Sequence, residues 1–467
     1  MSPSGRGALR DRPPRARAAY PGQLILALRR DPLTLVSRLA AEHGDVVRIA
    51  VPFRPPIHLF SHAEHARELL VTQASHFGRG LAIERTTLIL GEGLLTIDGE
   101  RHRRHRRLMQ PSFSRRELDR HASVVAEAAR EHAAAWAHGQ VVDLSREMAA
   151  LAMAAVSRVM FGEDLGGSAQ TGAEALAVLL EFSDRLMLPL SGLWTALPTP
   201  SVRRARAALA TLDRILYGLI DAKRRQPRGD DLLSSLIAAQ EDTGSSQRLT
   251  DRELRDEAMT LLLAGHETTA SALTWTWSLL AGHADAHARI ADESRRLLGD
   301  RPPTAADVDQ LQAAEQALAE SMRLYPPVWS VGRRALDDVT IGGCRLARND
   351  VAVVSQWVIH RDPRFWPDPL RFDPSRFAGT ERARRPRAAY FPFGDGARRC
   401  IGESLAWMIG TVVLATLTPR LRFEHLPDHR PAPVPYLFLL SPGHVAASTP
   451  GAKARPGLPM RVASAEP

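Results

Sequence analysis

The chain has 467 residues, 61 Lys+Arg against 52 Asp+Glu for a formal net charge of +9, and 44% hydrophobic against 24% charged residues. That balance belongs to a globular protein with a sizeable core and excludes intrinsically disordered, collagen-like and transmembrane-bundle chains. Only Lys223 and Lys453 are lysines, leaving 59 of the 61 basic residues as Arg, spread along the chain without interleaved aromatics, so nucleic acid is not an expected partner.

Residues 1–20 are rich in Arg and Pro and read as a disordered basic leader. Residues 31–44 have a helical apolar period, with Pro32 at the first turn and Gly44 as terminator, and DVVRIAV then alternates as a strand. A Gly-rich loop fills residues 75–98, and helical patterns dominate from Glu100 to Leu324. The breaks at Pro198, Pro200 and residues 226–231 are too short and too apolar for linkers, so one large α-rich domain is expected over residues 21–450, with 451–467 as a C-terminal tail. After Pro326 the texture changes to short strands and turns, with Gly342-Gly343 inside a hairpin, and a last helix spans 401–418. The fold class is therefore mainly α with a small β-sheet region. No apolar run reaches the ~18 residues of a bilayer span and no secretory signal is visible, so a cytoplasmic protein without a membrane anchor is expected.

Two cysteines cannot make a disulfide framework or a zinc site unaided. Cys344 sits in a hairpin and reads as structural. Cys400 ends a glycine-punctuated loop, residues 393–402, at the start of an apolar helix, and both that helix terminus and the neighbouring Arg residues favour its thiolate. Taken alone it is a nucleophile, a metal ligand or a small buried hydrophobe. The helix opened by the capping box Thr250-x-x-Glu253 runs to about Ala281, roughly 45 Å. Apolar on all sides over residues 259–264, it should be buried. Within it lies Ala264-Gly265-His266-Glu267-Thr268-Thr269-Ala270, and a buried glycine beside an acid and hydroxyls is expensive there, which marks function. His266-Glu267 lacks the second His of a zinc-protease helix. Glu320 and Arg323 share a helix face, ordinarily a solvated pair, and the basic run His102-Arg103-Arg104-His105-Arg106 is ordinarily a solvated face.

Together these strings resemble the cytochrome P450 family over nearly the whole chain. Phe393-x-x-Gly396-x-Arg398-x-Cys400-x-Gly402 is similar to its proximal haem loop, which implies a b-type haem with Cys400 as axial thiolate, Phe393 beside the sulfur, Gly396 and Gly402 giving backbone N–H groups access, and Arg398 on a haem propionate. The long helix resembles the family's oxygen-activating helix, implying that the small pair Ala264 and Gly265 makes room over the haem, Thr268 serves the oxygen and Glu267 relays protons. His102 and Arg106, followed by Pro111-Ser112-Phe113, resemble a propionate-binding helix, and Arg333, chosen over Arg334 by its spacing to Asp338 and Gly343, would add one contact. Glu320, Arg323 and Arg376 resemble a buried structural network supporting the haem loop.

The resemblance implies a monooxygenase that inserts one oxygen atom of O2 into a small apolar substrate, terpenoid before fatty acid, as in secondary metabolism. The chain has no Gly-x-Gly-x-x-Gly strand-to-helix signature, so electrons should come from a ferredoxin or flavodoxin with its NAD(P)H reductase, docking by Arg103, Arg104, Arg107 and Arg399. Expected pocket walls are Leu262, Ala264, Val328, Trp329, Val331, Leu437 and Phe438. The rivals are a peroxide-dependent or isomerising haem-thiolate enzyme, against which Glu267-Thr268 argues, and a haem-binding sensor without turnover.

Overall fold

The computed structural model describes residues 13–465 except 21, 52–53, 163–166, 187–194, 226–228, 230, 243–248, 437–438 and 447–453. In chain order its main helices are α1 (Pro32–His43), α2 (Gly99–Met109), α3 (Ala122–Ala133), α4 (Leu144–Phe161), α5 (Pro200–Arg225), α6 (Asp251–Ala281), α7 (Ala284–Leu298), α8 (Gln312–Leu324) and α9 (Glu403–Leu417). The strands are β1 (Val46–Ile49), β2 (Ile57–Phe60), β3 (Phe77–Arg79), β4 (Val141–Asp143), β5 (Val331–Ala335), β6 (Val339–Ile341), β7 (Cys344–Leu346), β8 (Val351–Val354), β9 (Leu421–His425), β10 (His429–Tyr436), β11 (Leu439–Ala446), β12 (Arg455–Pro456) and β13 (Pro459–Ser464). The helix-rich class with small sheets is the one expected. The described residues form two compact units: those within 13–84, 323–371 and 379–400 make the first, and the other described residues the second.

The first unit is built on a five-stranded sheet of order β1-β2-β8-β5-β3, antiparallel except for the β2–β8 pair. α1 begins where Asp31 accepts a hydrogen bond from Thr34 N (3.1 Å) and stops at Gly44, whose φ of +78° no other residue adopts cheaply. The β6–β7 hairpin turns through Gly342 and Gly343 at φ +54° and +73°, both left-handed, as a two-residue turn of this kind requires. Phe60, Leu69, Phe77, Ile341, Val354 and Phe391 belong to its apolar core. Residues 13–16, expected in the disordered leader, are held against β1: Arg48 N donates to Pro14 O (2.8 Å) and Ala16 N to Arg48 O (2.9 Å). An open sheet edge explains this, because its unpaired backbone groups accept whatever chain passes.

In the second unit α6 is buried along most of its length, with α4 and α5 against it, and Trp275 and Trp277 are each 1% exposed. Its capping box is closed in both directions, Glu253 N to Thr250 Oγ1 (3.1 Å) and Thr250 N to Glu253 Oε2 (2.8 Å). Two small sheets complete the unit, β10-β11-β12 and β4-β13-β9. The second corrects the expected tail: residues 459–464 form its central strand because Met460 and Val462 alternate with Arg461 and bury on one face. Met460→Asp should therefore lower the thermal unfolding midpoint strongly, by several kcal/mol of stability, whereas Arg461→Asp should leave it almost unchanged.

Candidate active site

In the first unit Cys400 is delivered by a loop with little freedom. Gly394 and Gly396 have φ of +70° and +71°, and a Cβ on Gly396 would overlap the carbonyl oxygen of Leu70, so the loop lies flat on the turn Glu68–Thr72. Gly394 N donates to Phe391 O and Cys400 N to Phe393 O, both at 2.9 Å, and the Asp395 carboxylate takes Gly396 N at 2.8 Å. The result is an ordered loop whose cysteine is exposed, while Cys344 is buried. Phe393 and Arg398 flank Cys400 half-buried, and Gly402 caps α9 two residues beyond it.

The donor set tests which metal group suits this cysteine. Among the described residues no three His, Cys, Asp or Glu side chains converge as a metal site. A metal bound by Cys400 must therefore bring its other donors with it, as iron does inside a porphyrin, and a lone thiolate on a glycine cradle fits that group.

In the second unit the α6 string separates into two faces. Ala264 is exposed and Thr268 half-buried on one, a turn apart, with Thr268 Oγ1 donating to Ala264 O at 2.6 Å. Glu267 adjoins them; burial pushes its carboxyl up, and the Ser441 hydroxyl works in the opposite direction. Gly265 faces α4 instead, where a Cβ would stand 3.3 Å from Val156 Cγ1, so its smallness serves helix packing. His266 is 4% exposed and neither ring nitrogen has a hydrogen-bond partner of good geometry; burial brings its pKa down to about 4, the Ala149 backbone offsetting little of it. Leu262, expected as a pocket wall, is 1% exposed, because two residues carry it about 200° around the helix from Ala264.

α2 is not the solvated face that a basic run ordinarily makes. Arg103 and Arg107 are exposed and Arg106 is half-buried, but His102 is buried and His105 fully so. Arg104 pairs with Glu253 of α6 and is not available as a docking cation. In β5, Arg334 donates to Glu84 Oε1 (2.7 Å) and lies within 3.4 Å of Asn349 Oδ1, while Arg333 projects from the other side of the strand and is half-buried. Trp329 is buried, its carbonyl accepting from Ser355 Oγ (3.0 Å), whereas Val328 and Val331 are half-buried; Leu437 and Phe438 lie outside the described residues.

Of the residues expected as a structural network, Glu320 and Arg323 are buried and Arg376 is half-buried. In the second unit Glu320 accepts Asp373 N at 2.9 Å, with Arg376 Nε 3.4 Å away. In the first, Arg323 donates to His360 O (2.9 Å), Pro369 O (2.7 Å) and Arg371 O (3.1 Å). Sequence reasoning passed over Glu257, fully buried beside His105; the available signal was an acid four residues after Glu253, on the same helix face and next to the apolar run that follows.

A family model described as Cytochrome P450 matches residues 13–446. Cyclooctatin synthase of Streptomyces melanosporofaciens is 36% identical over 428 residues, 90% of this chain and 92% of that one. Cyclooctat-9-en-7-ol 5-monooxygenase of the same organism is 34% identical, covering 86% and 87%, and pentalenene oxygenase of Streptomyces avermitilis 34%, covering 90% and 94%. The crystal structure of the cytochrome P450DA heme domain superposes with a TM-score of 0.85 over 98% of this chain and 99% of that one at 24% identity, a likeness of fold.

His266 gives this site a pH signature. Its folded pKa lies below the ordinary 6.5, so the unfolded chain takes up a proton that the folded chain refuses, and stability is lost as pH falls from about 6.5 towards 4. The loss should amount to about 3 kcal/mol. Thermal unfolding midpoints measured over that window should fall more steeply in the native chain than in His266→Leu.

Proposed function

The chain belongs to the cytochrome P450 family and is an oxidoreductase of the monooxygenase type; we propose that its substrate is a cyclic terpenoid. The relatives named cyclooctatin synthase, cyclooctat-9-en-7-ol 5-monooxygenase and pentalenene oxygenase carry that reading, and the α6 face of Ala264 and Thr268, beside Glu267, supports it. A fatty acid would ask for a cation beside its carboxylate, and among the described residues of α6 from Ala258 to Ala281 there is no Lys or Arg.

In this reading Cys400 would supply a thiolate to the iron of a b-type haem, with Phe393 beside the sulfur and Gly396 and Gly402 leaving room for the backbone. His102, Arg106, Arg333 and Arg398 would serve the haem carboxylates; Arg334, committed to Glu84, would not. When bound, the haem supplies the activation of O2 and the oxidation itself. The chain's part is to deliver protons and keep bulk water away. Thr268 Oγ1 can give up its bond to Ala264 O and turn to a new acceptor, and Glu267, its carboxyl raised by burial, holds a proton more readily than an exposed acid would. Among the described residues no helix is long and apolar enough to cross a membrane. Electrons would come from a ferredoxin or flavodoxin and its NAD(P)H reductase, meeting exposed Arg103 and Arg107 and the loop's Arg399.

The substrate reading is tested by absorption shifts of the purified holoprotein against cyclic terpene hydrocarbons and medium-chain fatty acids; terpenes should give the shift at low micromolar concentration, and a response confined to fatty acids would overturn the reading. Cys400→Ser should abolish the red-shifted Soret band of the reduced carbon-monoxide complex, and Cys344→Ser should leave it. Thr268→Ala should keep haem and substrate but release most reducing equivalents as hydrogen peroxide, while Glu267→Gln should slow oxygen consumption by about tenfold or more, both measured by coupling stoichiometry.

A further inference from the structure

α6 carries four acids ahead of its oxygen-side string, and the function above uses none of the three that lie beyond its first residue, Glu253, Asp256 and Glu257. Glu257 is fully buried, Asp256 is 2% exposed, and Glu253 closes the capping box. All three grip what lies before them in the chain. Glu257 Oε1 stands 2.6 Å from His105 Nδ1, and its Oε2 accepts Leu94 N at 3.0 Å. Glu253 Oε1 faces His105 Nε2 at 3.2 Å. Asp256 Oδ2 accepts Glu92 N at 2.8 Å, while Oδ1 takes Arg255 Nη1 at 2.8 Å. Side chains are excluded from the same loop, since a Cβ on Gly91 would overlap the Asp256 carboxylate and one on Gly93 the Thr260 hydroxyl. Residues 91–94 and α2 are thus seated on the same two turns of α6.

Stability is a poor explanation for such a cluster. Buried ionic groups lose solvation that their pairing only about restores, and apolar replacements of like volume are often as stable. What the pair does supply is geometry. His105 has each ring nitrogen opposite a different carboxylate, so its ring has one orientation, and at about 100° and 1.5 Å per residue a fixed His105 fixes the rotation and height of α2. His102 lies three residues before it and Arg106 one after.

We propose that His105 and Glu257 are a positioning pair: they hold α2 in the rotation that brings His102 and Arg106 to the haem carboxylates, and the Leu94 bond to the same Glu257 ties that helix to the loop before it. This rests on the reading of His102 and Arg106 as cofactor contacts. Retention of haem then depends on two residues that need not touch it, much as outer-shell partners govern how firmly a metal's own ligands hold.

The test is made on holoprotein, reading haem release into excess apomyoglobin and the ferric–ferrous midpoint, with thermal unfolding as the measure of stability. The double variant His105→Leu with Glu257→Leu removes the pair without leaving a buried charge; it should release haem about tenfold faster than the native chain at similar thermal stability, with its midpoint moved in the same direction as in Arg106→Ala. His105→Asn, which keeps a donor near Nδ1, should stay within about twofold of native release. Should the double variant fail to fold, Glu257→Gln, of equal size and uncharged, carries the same expectation of faster release. Native release and midpoint in the double variant, or in Glu257→Gln where that stands in for it, beside fast release from Arg106→Ala, would overturn the pair's role. Native release from Arg106→Ala would instead overturn the reading of α2 as a haem-carboxylate helix.

Discussion

A single thiolate has to hold the iron, and one ligand on a loop fixes nothing unless the loop has one conformation. Within the first unit that conformation is imposed through a continuous set of contacts. The buried guanidinium of Arg323 spends its donors on three carbonyls, one of them that of His360, and the His360 ring accepts Phe391 N at 3.0 Å, two residues before the loop begins. Trp366, wholly buried, lies between Arg323 and Arg385, whose guanidinium carbons are 5.0 and 4.3 Å from its ring centre, and its indole N–H reaches Ala389 O at 3.3 Å. A buried cation is costly unless every donor is used. Here its donors go to backbone that carries no side-chain freedom, so the satisfaction of Arg323 and the shape of the Cys400 loop are a single condition.

The long helix of the second unit combines three kinds of work that ordinarily fall to separate elements. Its first turns hold acids against α2, its middle presents Thr268 and Glu267, and its last turns bury tryptophans, Trp277 packing edge-on to Phe423 at 5.2 Å. Thr274 and Thr276 donate to the carbonyls four residues back at 2.7 Å, as Thr268 does at 2.6 Å. Such a bond is the ordinary way to satisfy a hydroxyl inside a helix. Only access separates Thr268 from the other two: they are sealed in the core, and its hydroxyl can exchange one acceptor for another.

The abundance of arginine also has a structural use. Arg323 binds three carbonyls, Arg364 bridges Asp45 and Asp362 with its Nη2 bonded to both carboxylates, and Arg255 lies between Asp213 and Asp256, all uses for a planar fork. Lys223, one of two lysines, is buried against Asp231 at 3.0 Å, where a Cβ on Gly162 would come within 3.1 Å of the ammonium. A compact point charge fits that space, and a guanidinium would not.

The sequence alone determined the features set by neighbours along the chain. The caps at Asp31 and Thr250, the paired glycines of the β6–β7 turn, the glycine-punctuated approach to Cys400 and the i,i+4 pairing of Ala264 with Thr268 are local geometry, and a local pattern identifies them. Tertiary structure decided which face of each element meets which neighbour. Gly265 reads as room for chemistry until Val156 is found against it; Arg103 and Arg104 are adjacent in one basic run, yet one faces water and the other an acid roughly 150 residues away. Residues 459–464 look like a tail because a strand's partners are supplied by distant segments, here β4 and β9. Hydrogen bonds within a helix or turn join residues a few positions apart and are written in order, whereas burial, pairing and access depend on contacts whose separation along the chain is arbitrary.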